Sequence, residues 1–156
     1  MAERLLCGGE GPIGGALAQY FARLGSKVTL VTHADRLLPR EDPEVSERVH
    51  AEFRRQHVKV HANYNPLFFD AAENEQTCVF STPRGQRQLS FDRVLLAVGR
   101  SANVEGLRLE TLGIAVGPEG TVDVDAFCCT AIPTILACGS VAVPVISSLI
   151  ACSPPW

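Results

Sequence analysis

The chain has 156 residues, 46% hydrophobic and 20% charged, a composition that can bury a core and suits one globular domain. Its net charge of −3 supplies no basic stripe, which argues against nucleic acid as a partner. Met1 to Arg4 does not read as a signal peptide, and no apolar run has the length of a membrane span, so the expected setting is cytoplasmic, with no membrane partner.

The short apolar run Leu5 to Cys7 reads as a first strand, and a glycine cluster follows it. Within the cluster, Gly9-Glu10-Gly11-Pro12-Ile13-Gly14 fits G-x-G-x-x-G. In a dinucleotide-binding βαβ unit the first glycine permits the tight turn, and the second lets backbone approach a pyrophosphate. The third lets helix and strand pack closely. Six residues with three glycines also occur in ordinary turns; the strand before and the helix after give the motif its weight. The helix carries Ile13, Leu17, Tyr20 or Phe21, and Leu24 at spacings of three and four, expected to face inward, with Gly25 as its C-terminal stop. Lys27 to Val31 is a second strand, rich in β-branched residues.

Asp42-Pro43 opens a second helix, with Asp42 as N-cap and Pro43 in the first turn. Val45, Val49 and Phe53 are expected to face inward, and the charges between them to be solvated. Val58 to His61 is a third strand. After Asn63 the pattern changes. Segments 66–71, 77–82 and 86–90 read as short strands of an antiparallel meander, separated by turn residues. Arg93 to Val98 is apolar after its first residue, as a central strand buried on both faces would be. A helical turn near 109–112, a strand at 121–124 and an apolar strand at 134–137 complete the pattern. The expected fold is α/β: a Rossmann-like parallel sheet with helices on both faces and an inserted three-stranded antiparallel meander.

The six cysteines form no C-x-x-C and no zinc-spaced set, and read as buried, reduced thiols. The four histidines suggest no ligand cluster, and no metal site is expected. No nucleophile elbow, Walker loop or zinc-protease motif appears, and no catalytic residue is assigned.

Four segments in this order resemble the nicotinamide-binding domain of the flavin-dependent pyridine nucleotide–disulfide oxidoreductases, a group that includes dihydrolipoamide dehydrogenase, mercuric reductase and soluble transhydrogenase. They are Gly9 to Gly14 with its helix, Asp35-Arg36-Leu37-Leu38-Pro39, Ala97-Val98-Gly99-Arg100, and Thr134-Ile135-Leu136-Ala137-Cys138-Gly139. The resemblance implies that residues 1–125 form an NAD(P)-binding domain and 126–156 a return segment toward an FAD-binding domain outside this chain. It implies a role in positioning nicotinamide for hydride transfer to FAD, with FAD bound only if a partner supplies the flavin domain. Gly9, Gly11, Pro12, Ile13 and Gly14 would then line the pyrophosphate. Thr32, His33 and Arg36 would lie near the adenosine ribose, and Gly99 near the nicotinamide-side ribose. Ser140 would stand where the family usually has an aspartate for the flavin, and Ala16 where it often has a glutamate.

Cofactor choice follows from the end of the second strand. NAD-specific members usually carry a carboxylate there, bonding the ribose hydroxyls. Thr32 and His33 stand at that place, so no carboxylate is expected to repel a 2′-phosphate, while Arg36, Arg40 and His33, a part-time cation near neutral pH, could attract one. The expectation leans toward NADP(H) or use of both; the alternative is that all three are exposed loop residues. Glu10 is expected to face either solvent or the pyrophosphate. Two other readings stay open: a binding-only module or subunit completed by a flavoprotein partner or by self-association through the apolar segment 141–150, and a truncated remnant without activity.

Overall fold

The computed structural model describes residues 2–72, 75–118 and 120–143. By internal packing the chain divides into two compact units, Met1–Gly99 and Arg100–Trp156. The division expected at 125 lies within the second of these.

The first unit runs β1 (Arg4–Gly8), α1 (Pro12–Arg23), β2 (Lys27–Val31), α2 (Pro43–Arg55) and β3 (Lys59–His61). The meander follows as β4 (Asn65–Ala71), β5 (Gln76–Thr82) and β6 (Gly85–Phe91), then β7 (Arg93–Leu96). The strands β3-β2-β1-β7 form one four-stranded sheet, parallel throughout, and β4-β5-β6 form a separate antiparallel sheet. The α/β class is thus the one expected. The layering differs from expectation. Both helices pack on one face, where Ala18 of α1 and Phe53 of α2 share a core with Leu5, Cys7, Val28 and Leu30. The meander covers the other face, where Cys78, Phe80 and Phe91 meet Leu6 and Val31. Handedness explains this. The two steps from β1 to β2 to β3 move in one direction, so right-handed crossovers put both helices on the same side. The return from β3 to β7 moves the opposite way, which puts its connection, here the meander, on the opposite side.

Three further expectations are corrected. On α1, Phe21 packs against the core, as one of the two expected alternatives does, but the fully buried positions are Gly14 and Ala18, while Ile13, Tyr20 and Leu24 are exposed. Small residues let the helix axis lie close to β1, near enough for the Cys7 thiol to donate to the Gly14 carbonyl at 3.5 Å. On α2, Phe53 and Val49 face the core as expected but Val45 is exposed, its place taken by Ser46. Strand β7 is an edge strand instead of a central one. Leu95 packs into the helix-side core, whereas Val94, Leu96 and Val98 are exposed. The helix stops do match: Gly25 takes φ +96° and donates its N–H to Ala22, and Asp42-Pro43 opens α2 with Asp42 at the N-cap.

A clamp closes the meander onto the sheet. The Asp92 carboxylate, between β6 and β7, accepts the Arg4 backbone N–H at 2.7 Å, Arg4 Nε at 3.0 Å and Nη2 at 2.9 Å. These bonds hold the Asp92 carboxyl below the usual carboxylate range. Asp92→Asn should therefore lower the melting temperature at pH 7 by a few degrees. Because the folded-state pKa is depressed, this contribution is present above the unfolded value and is lost as pH falls through the folded one. Wild type and variant should converge in acid. Equal melting temperatures at pH 7 would show that the clamp contributes nothing.

The second unit contains a 3-10 turn at Leu109–Leu112 and the paired two-residue strands β8 (Val122–Asp123) and β9 (Ala142–Val143). The strand expected at 134–137 does not form. Among the described residues its one ladder contact is an isolated bridge from Leu136 to Cys129, and an apolar run without a neighbouring strand there has nothing to pair with. Cys7, Cys78 and Cys128 are buried free thiols, as expected, and burial pushes Cys7 up to about 11. Cys138 is exposed, against expectation, and Cys152 lies outside the described residues. So does most of the apolar segment 141–150. Among the described residues no helix is long and apolar enough to cross a membrane.

Candidate nucleotide site

The three motif glycines do three different physical jobs. Gly9 has φ +135°, and a Cβ there would lie 2.3 Å from the Ala97 carbonyl oxygen. A Cβ on Gly14 would lie 2.9 Å from the Gly9 carbonyl oxygen. These two residues are glycine because protein backbone passes against them. Gly11 is the reverse case: a Cβ there would meet nothing within 4 Å. Gly11 is the N-cap of α1, Pro12 follows it, and no side chain caps the helix. The first-turn N–H groups and the positive end of the helix dipole therefore face an open approach, the arrangement that receives an anion.

Around this turn lies a cleft of about 360 Å³. Gly8, Gly9 and Glu10 form one wall, and Val31, Thr32 and His33 at the end of β2 form the next. Tyr64 to Pro66, Phe69 and Phe80 of the meander, Leu6 of β1, and Val94 and Leu96 of β7 with Val98 just beyond it complete the lining. The walls hold together through backbone. Gly9 N–H donates to Val31 O at 3.0 Å, Thr32 N–H to His61 O at 3.0 Å, and Tyr64 N–H to Thr32 O at 2.9 Å. Tyr64 stacks on His61 with ring centroids 4.8 Å apart, and burial together with Lys59 lowers the His61 pKa, favouring its neutral form.

Glu10 faces neither of the two places expected for it. Its Oε2 accepts the Thr32 hydroxyl at 3.1 Å and lies 3.4 Å from His33 Nδ1. The Thr32 hydroxyl oxygen accepts Ala34 N–H at 3.0 Å, so Thr32 is fixed from both sides. The expectation that no carboxylate stands at the end of β2 is thereby overturned. The carboxylate arrives from the glycine turn, nowhere near β2 in sequence. Arg36 is also differently employed: its Nη2 donates to the carbonyls of Pro39 and Glu41 at 3.0 and 3.1 Å. It braces the loop after β2, which Leu38 N–H ties to the Glu10 carbonyl at 2.9 Å.

Pro12 and Ile13 are exposed on the first turn of α1, beside the open approach at Gly11. Gly99 is exposed just past the end of β7. Ser140 is exposed in a 3-10 turn, Gly139–Val141, of the second unit. His50, His57 and His61 border one open depression with Arg54 and Lys59. Among the described residues, however, no three His, Cys, Asp or Glu groups converge to hold a metal.

Residues 1–153 match the family model described as pyridine nucleotide-disulphide oxidoreductase. The chain is 37% identical over 144 residues to a mercuric reductase of Streptomyces lividans, covering 90% of this chain and 30% of that protein. It is 34% identical over 131 residues to a dihydrolipoyl dehydrogenase of Bacillus subtilis, covering 84% of this chain and 28% of that one. Among solved structures, the Cu(II) complex of an HOCl-induced flavoprotein disulfide reductase from Escherichia coli superposes with a TM-score of 0.81. That match has 32% identity and covers 94% of this chain and 32% of the other. The chain thus spans about a third of the length of the relatives it matches.

Proposed function

The chain belongs to the pyridine nucleotide–disulphide oxidoreductase family, and on that premise we propose that its first unit binds a nicotinamide dinucleotide. The observation that carries this is the contrast among the glycines, two closed by backbone and the middle one open in front of an uncapped helix N-terminus. A pyrophosphate fits that opening. Ile13 and Gly14 N–H groups are the donors nearest to it in the first helical turn. The adenosine ribose would lie by Glu10, Thr32 and His33, and the nicotinamide half would run toward Val98 and Gly99.

When bound, the nicotinamide supplies a hydride, and a flavin of the kind this family uses is the proposed acceptor. The chain's own residues bind, orient and partly shield the dinucleotide. The flavin would come from a flavoprotein part or partner, with Ser140 proposed on its side. The mercuric ion or dihydrolipoyl group that the relatives' names mention is not carried over to this chain.

Fluorescence titration of the purified chain with NADH and NADPH tests the proposal. Binding of at least one below millimolar concentration is expected. Gly11→Val should weaken it on the order of tenfold or more by filling the approach. The same change should lower the melting temperature by no more than a few degrees, the cost of a poorer N-cap, since nothing packs there and the Gly11 φ of −79° is open to side chains. If neither dinucleotide binds, or if Gly11→Val binds as well as wild type, the proposed site is wrong.

A further inference from the structure

The end of β2 is where a dinucleotide fold normally places the acidic residue that bonds the adenosine ribose, about twenty residues after the glycine motif. Here that place holds Thr32 and His33, neither of which is acidic. Yet it is not without a carboxylate. Glu10, from inside the glycine motif, reaches across with Oε2 at 3.1 Å from the Thr32 hydroxyl and 3.4 Å from His33 Nδ1. Its side chain is 25% exposed, so it is neither sunk into the core nor free in solvent. Two restraints hold it in this position. The Glu10 backbone carbonyl accepts Leu38 N–H, and Thr32 is itself oriented by Ala34 N–H.

Resting on the dinucleotide reading above, we propose that Glu10 is the specificity-determining residue of this site and that the chain selects NAD(H) over NADP(H). Oε2 is engaged by Thr32 and His33, and Oε1 has no hydrogen-bond partner among the described residues. It is therefore available to accept from a ribose hydroxyl. A 2′-phosphate brought to the same place would put like charges within a few ångströms of each other. Of the basic side chains nearby, His33 turns its Nδ1 toward Glu10, and Arg36 has its Nη2 held by the Pro39 and Glu41 carbonyls, which fixes where its charge sits in the loop after β2. Thr32 acts as a positioning residue, holding the carboxylate at the strand end. The selectivity function normally carried by β2 is thus transferred to the variable second position of the glycine motif.

Affinities of the full chain for NADH and NADPH, measured side by side at low salt, decide the matter. Wild type should bind NADH about tenfold tighter than NADPH or better, the size expected from like-charge repulsion at this separation. Glu10→Gln, with the same shape and no charge, should raise NADPH affinity about tenfold and weaken NADH by a smaller factor. The two constants should then come together. A wild-type preference for NADPH, or none, overturns the inference without any variant. An unchanged NADH-to-NADPH ratio in a folded Glu10→Gln also overturns it while leaving the nucleotide site standing. Failure of wild type to bind either dinucleotide overturns the nucleotide site and the inference with it.

Discussion

Gly9→Ala should destabilise the first unit by about 3 kcal/mol or more, the combined cost of a left-handed backbone and a collision with rigid atoms. The added Cβ would lie 2.3 Å from the Ala97 carbonyl oxygen and 2.8 Å from its carbon. Backbone cannot yield as the end of a flexible side chain can. Gly9 is pinned by its N–H on Val31 O at 3.0 Å, and Ala97 by its N–H on Gly8 O at 2.7 Å. Relief of the collision would have to break one of these, which means separating β1 from β2 or from β7. Urea unfolding measures the loss directly, with Gly11→Ala as the control. Gly11 is an N-cap with open space around it, where a change to alanine costs about 1 kcal/mol at most. If Gly9→Ala lies within about 1 kcal/mol of wild type, the turn is softer than its geometry indicates.

That pair of neighbouring glycines explains what can and cannot be read from the motif. The β1–α1–β2 unit was legible because strand, glycine turn and amphipathic helix have distinct patterns, and β2 lies over the expected residues. The meander was legible through its turn residues. Which helix face packs inward was not. Hydrophobic spacing counts large side chains and found Phe21, but the close approach of α1 to β1 makes Gly14 and Ala18 the fully buried positions. The position of β7 was hidden for a similar reason. An apolar run reads alike whether a strand is central or at an edge, and only the strand order separates the two.

Glu10 is the sharpest case. A search for a carboxylate near the end of β2 looks along the chain from Val31, but the turn brings position 10 there through space. The available clue was that a charged residue occupied a motif position next to an anion site, where repulsion would be costly unless the side chain turned away. It turns toward Thr32, and the loop after β2 is tied to its carbonyl. Arg36 followed the same logic in reverse. As a cation after β2 it suggested phosphate binding, and the chain pattern held no sign that its Nη2 also braces the loop through the carbonyls of Pro39 and Glu41.

Phe80→Ala should be the other large loss, about 3–5 kcal/mol by the usual cost of emptying a packed aromatic site. Phe80 is 1% exposed and is the largest fully buried side chain among the described residues. It lies in β5, the middle strand of the meander, and packs in the cluster with Leu6 and Val31 that joins the two sheets. It also contacts Tyr64, ring centroids 5.6 Å apart, and Tyr64 stacks on His61 at the end of β3. Its removal therefore weakens the sheet-to-sheet layer and the Tyr64 wall of the cleft together. Phe68→Ala, on an edge strand of the same meander and 56% exposed, should cost little by comparison. Urea unfolding of both variants, followed by NADH titration of whichever remain folded, separates the two roles. A large loss of stability with unchanged affinity would show that the meander supports the sheet without shaping the cleft. A loss under about 1 kcal/mol would mean that the two sheets are held mainly by the Arg4–Asp92 clamp at their shared corner.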